Sequence, residues 1–156
     1  MANMWLSGYV PGSVNSSSPR CSLWIELAGM SGTYIVMASS TQIVLLEAET
    51  QTVVATGKGH SGRVNSLAVA KAEGMAATCL VSGGCDGSVK IWCVETMSTP
   101  TGAHISLREV ATLESKSPKG SVLSVTAIAI SPEQLLVSAS YSDGGLSTWC
   151  GLNEGT

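Results

Sequence analysis

The chain is 156 residues long with a formal net charge of −3, and 44% of its residues are hydrophobic, 12% charged and 4% aromatic, with no Phe. That length favours one domain, the charge leaves no basic footprint for nucleic acid, and no apolar run approaches the ~20 residues of a membrane-spanning helix. A core must be built from Val, Ile, Leu, Ala and Met, and 17 glycines with many serines cut the chain into short runs, which predicts an all-β fold.

In chain order, residues 4–10 read as a lone strand before a Pro/Gly/Ser loop over 11–19. The start has no positively charged region and no long apolar stretch, so it does not read as a secretion signal. Asn15-Ser16-Ser17, which fits the glycosylation acceptor pattern, is then coincidental. Residues 22–26, 34–38, 43–47 and 52–56 read as four short strands, and 64–69, 78–82 and 88–92 as three more. A looser Thr/Gly/Pro stretch over 97–104 reads as a loop holding an exposed His104, ahead of a strand at 107–113. Residues 122–130, 135–140 and 146–149 form a last set, and no further strand is expected after it.

The sets repeat. Residues 42–50, QIVLLEAET, align with 88–96, SVKIWCVET, so that Leu46 falls where Trp92 falls; Trp149-Cys150 then repeats Trp92-Cys93. The stretch 59–93 is the most specific. Gly59-His60 opens it, Gly83-Gly84-Cys85-Asp86-Gly87 makes a turn, and Trp92 closes it on an alternating strand.

A Gly-His near the start and a Trp near the end of a unit of ~40–45 residues resembles a WD repeat, the unit of a β-propeller blade. Cys93 stands where the family has Asp after the Trp. The resemblance implies a structural hydrogen-bond network of His60, Ser82, Asp86 and Trp92, because a polar group inside a blade packed on both faces needs a partner. Leu46 denies this network to the first set. In the third, Asp143 lies five residues after Ser138 where Asp86 lies four after Ser82, which reads as an extra residue in the turn.

The expected organisation is a partial WD-repeat propeller over 1–156. A closing strand and loop occupy 1–21, blade one 22–56, blade two 57–113 and an incomplete third blade 114–156. Propellers typically need 4–8 blades to close, so about three blades imply a fragment, a truncated product or a chain completed by a partner.

No catalytic set is evident. The two histidines, with Asp86 and Asp143, are the titratable supply beyond the glutamates; the glycine-rich run 57–62 lacks the order of a phosphate loop, and no GxSxG occurs. Cys21, Cys79, Cys85, Cys93 and Cys150 form no CxxC, so they read as free thiols rather than zinc ligands. No cofactor, metal or small-molecule substrate is expected. Loop residues 61–63, 72–77 and 116–119 are the candidate contacts, with Arg63 foremost.

The order of these motifs, from a first blade without the closing Trp to a loose third unit, resembles the opening of the Elongator complex subunit 2 family. That resemblance implies a non-catalytic double-propeller scaffold that joins the catalytic and largest Elongator subunits in tRNA wobble-uridine modification. It also implies a location in the cytoplasm and nucleus. The alternative is a WD-repeat adaptor of another complex.

Overall fold

Short apolar runs rich in Val, Ile and Thr, separated by Gly/Ser turns, suit pleated strands that pack on both faces. The computed structural model describes residues 20–27, 30–71, 77–99, 102–114 and 120–152. The strand expected at 4–10 and Asn15 lie outside them, as do the loop at 116–119 and nearly all of that at 72–77.

The described residues form three antiparallel sheets. The first is β1 (Ser22–Glu26), β2 (Thr33–Ser39), β3 (Gln42–Glu47) and β4 (Val53–Lys58), paired in chain order. The second is β5 (Val64–Ala70), β6 (Thr78–Gly84), β7 (Val89–Thr99) and β8 (Gly102–Leu113), again in order. The third has β9 (Val122–Ser131), β10 (Gln134–Tyr141) and β11 (Leu146–Leu152), with β10 central. The fold is that of propeller blades, each built from neighbouring hairpins. β4 runs to Lys58, two residues past the expected edge of the first unit.

The sheets stack face to face through two apolar clusters. Val36, Ile43 and Leu45 of the first sheet meet Leu67, Leu80 and Trp92 of the second. Val81 and Val89, on the opposite face of the second sheet, meet Val122, Val125 and Val137 of the third. Alternation assigns the faces: Leu80 points one way and its neighbours Cys79 and Val81 the other. Polar bonds stitch the same seams. Leu67 N donates to Arg20 O at 2.8 Å, and Val64 N to Ser40 O at 2.9 Å. Asn65 Nδ2 donates to Val122 O at 2.8 Å, and Val125 N to the buried Ser66 hydroxyl at 3.1 Å.

Two sequence expectations need correction. Residues 97–99 and 102–104 are strand rather than loop, because β7 and β8 continue as a long ribbon in which Met97 faces His104 and Thr96 faces Ile105. Ile105 is buried there, whereas His104 is exposed, as expected. The turn of the third sheet also has no extra residue. Ser140 faces Leu146 just as Gly83 faces Val89, and Gly87 (φ 77°) and Gly144 (φ 85°) hold the same left-handed position in the two turns. The error lay in the serine. Trp149 faces Val137 as Trp92 faces Leu80, so the counterpart of Ser82 is Ala139, and Ser138 points to the opposite face.

Candidate functional site

The four residues singled out in the middle blade come together. His60 lies between β4 and β5, Ser82 on β6, Asp86 in the β6–β7 turn and Trp92 on β7. Trp92 Nε1 donates to Ser82 Oγ at 2.8 Å. Ser82 Oγ lies 2.8 Å from His60 Nε2, and His60 Nδ1 lies 3.0 Å from Asp86 Oδ2. The consistent proton pattern has Trp92 donating to Ser82, Ser82 to Nε2, and Nδ1–H to Asp86. Ser82, Trp92 and His60 are 0%, 1% and 7% exposed, so each bond replaces water that cannot reach the site.

Asp86 anchors the turn. Its Oδ2 also accepts from Ser61 N at 2.9 Å, and Oδ1 from Ser88 N at 3.1 Å and Ser88 Oγ at 2.8 Å. Partial burial works against the carboxylate charge, but the Ser88 and His60 contacts outweigh it and hold Asp86 at about 2. His60 moves down, because burial disfavours the imidazolium more than the Asp86 charge favours it. A neutral His60 with a fixed tautomer is held on both ring nitrogens. It is a structural tie between the loop before β5 and the β6–β7 turn, with no free nitrogen to act as a base.

Sequence reasoning missed the neighbouring cluster. Lys90, 8% exposed, sends Nζ to Glu109 Oε1 at 2.7 Å and to Thr112 Oγ1 at 2.8 Å. Partial burial opposes the Glu109 charge, but hydrogen bonds from Lys90 and Thr112 prevail and lower its pKa. The ladder placing Lys90 opposite Thr112 was the available signal, but it required the β7–β8 register.

Glycines make room for the network. A Cβ on Gly57 would stand 2.9 Å from the Trp92 ring, and one on Gly84 would stand 2.6 Å from His60 Nδ1 and 2.7 Å from Asp86 Oδ1. In the third blade the Gly84 position is Tyr141. Its hydroxyl is buried with no hydrogen-bond partner among the described residues. In the first blade, Met37 and Leu46 stand at the Ser82 and Trp92 positions, so both strand positions are apolar.

Arg63 is exposed beside this turn, and its carbonyl accepts from Cys85 N at 2.7 Å. Cys21, Cys79 and Cys93 are buried thiols, whereas Cys85 and Cys150 are exposed. Among the described residues no three His, Cys, Asp or Glu side chains converge as metal ligands would. A cleft of about 340 Å³ lies where β1 approaches β5, with Trp24, Glu26, Thr33, Val69, Lys71 and Thr78 on its walls. Those walls present one acid, one lysine and no nucleophile–base pair.

Residues 51–93 match the family model of the WD domain, G-beta repeat. The middle of this chain is therefore similar to a WD repeat. The matched unit starts before the outer strand of the first sheet and ends just after Trp92, so the sequence unit straddles two blades. Among solved structures, the chain is similar to the C-terminal WD40 domain of Sif2, with a TM-score of 0.56 at 12% identity. The likeness covers 82% of this chain and 33% of that one, so the chain spans about a third of the matched structure. At that identity the likeness is one of fold. No curated protein sequence matches the chain.

Proposed function

We propose that this chain is a non-catalytic scaffold that binds other protein chains through its blade faces. The observation that carries the reading is the far face of the third blade. Register pairs it position by position with the covered face of the second. Val89 and Ala70, 0% and 2% exposed, correspond to Leu146 and Ile128, which are 74% and 59% exposed. Ile130 and Leu123, also on β9, are exposed at 56% and 53%. The second blade buries these positions because a neighbouring blade covers them. Among the described residues the third presents the same kind of surface uncovered, and such an apolar patch is suited to protein contact.

The order of the motifs along the chain supports a finer reading: the partners are the catalytic and largest subunits of Elongator, and the protein works in the cytoplasm and nucleus. The test is capture of each purified subunit by the chain and by an Ile128→Asp/Ile130→Asp variant. Retention by the native chain and loss by the variant is the expected result. If neither subunit is retained, the Elongator assignment fails and the adaptor of another complex stands. If a partner binds the variant as well as the native chain, the blade-face reading fails.

A further inference from the structure

The two buried cysteines of the second blade are opposite each other across β6 and β7: Cys79 faces Cys93. The phase of that ladder follows from the turn. Gly84 N donates to Ser88 O at 3.1 Å, so Gly84 and Ser88 form a hydrogen-bonded pair. Antiparallel pairs alternate, so Ser82/Lys90 and Leu80/Trp92 are bonded pairs as well. Gly83/Val89, Val81/Ile91 and Cys79/Cys93 are the close, non-bonded ones. No register shift interrupts β6 against β7. In a non-bonded pair the Cα atoms stand ~4.5 Å apart with both side chains on one face, inside the ~4.4–6.8 Å window of a disulfide. Cys150, the counterpart of Cys93 in the third blade, faces Leu136, so this pairing belongs to the middle blade.

We propose that Cys79 and Cys93 are a paired oxidation site, closing to a cross-strand disulfide when the protein meets hydrogen peroxide. The Cys93 thiolate attacks one peroxide oxygen; an S–O bond forms, the O–O bond breaks, and the departing hydroxide takes a proton to become water. The Cys79 thiolate then attacks the Cys93 sulfur; S–S forms, S–O breaks, and a second water leaves. The two thiols give up two electrons and two protons, which reduce one peroxide to two waters.

Burial and the Glu95 charge push the Cys93 thiol up, but Arg108 across the strand works against them, whereas Cys79 sits within the cluster between the second and third blades with no such cation among the described residues, so Cys93 goes first. Burial pushes the Cys79 thiol up to about 12, so the closed seam slows the second step.

The test treats the full chain with hydrogen peroxide, blocks remaining thiols with N-ethylmaleimide in denaturant, and maps the peptides by mass spectrometry. The expected product is a Cys79–Cys93 crosslink lighter by two hydrogens, restored by reductant and lost in Cys93→Ser, whose Cys79 stays alkylable. Leu135→Ala, which thins the cluster that covers Cys79, should raise the crosslinking rate several-fold. Recovery of Cys79 and Cys93 both alkylated while exposed Cys85 and Cys150 are oxidised would overturn the proposal. So would crosslinks joining Cys79 or Cys93 to other cysteines instead.

Discussion

Removing the indole N–H of Trp92 while keeping most of its bulk isolates the network from the packing. Trp92 is 1% exposed, its ring lies against Gly57 and Gly59, and its centroid is 6.5 Å from that of His60. Trp92→Phe keeps an aromatic ring there but takes away the donor to Ser82 Oγ. Ser82 still donates to His60, so the loss is one buried bond and an under-satisfied oxygen, about 1–3 kcal/mol. Trp92→Ala adds a cavity between the first and second blades and should cost ~3–5 kcal/mol or more. Chemical denaturation followed by circular dichroism reads both. If Trp92→Phe cost as much as Trp92→Ala, the hydrogen bond would carry everything and the packing argument would fail. If Trp92→Phe cost nothing, the bond would be irrelevant. Trp24→Ala, at a site 66% exposed, should change stability by no more than about 0.5 kcal/mol.

Other outcomes follow from the same geometry. Ser82→Ala orphans the Trp92 donor and His60 Nε2 and should cost ~2–4 kcal/mol, whereas Ser138→Ala loses only an exposed bond to Thr148 at 3.0 Å and should cost under about 1 kcal/mol in the same melts. Gly83→Ala drives a Cβ into Val122 across the seam and should destabilise by ~1–3 kcal/mol, visible as a lowered thermal midpoint. The pH dependence has two windows. The unfolded chain protonates His60 near 6.5 but the folded ring only at lower pH, so stability falls as pH drops below 6.5; His60→Gln should flatten that slope. The folded Asp86 carboxylate stays charged to about 2 against 3.8 unfolded. Its contribution, roughly 1–2 kcal/mol after solvent screening, is therefore full above 3.8 and lost as pH falls to about 2; Asp86→Asn should remove it.

The strand runs and the middle blade could be read in the sequence because their signals are local. Val/Ile alternation marks the strands, and His60, Ser82, Asp86 and Trp92 sit at spacings that a three-strand unit with a tight turn enforces. The pairing of 97–99 with 102–104 could not be read, because Thr, Gly and Pro suggest a loop; its strand character comes from pairing across β7 and β8 and from burying Ile105. The serine of the third blade was misplaced by one residue, and with a side-chain period of two that single step moves it to the opposite face. The exposure of Ile128 and Leu146 was equally hidden, since apolar strand residues look alike in sequence whether or not a neighbouring blade covers them.

The central claim is that the uncovered face of the third blade is a contact surface, and size-exclusion chromatography with light scattering tests it most directly. The account predicts that the 16.0 kDa chain co-elutes with a purified partner subunit at the summed mass, and that Ile128→Asp/Ile130→Asp elutes apart from that subunit with an unchanged β-type dichroism spectrum. A variant that co-elutes with the subunit as fully as the native chain does would contradict it.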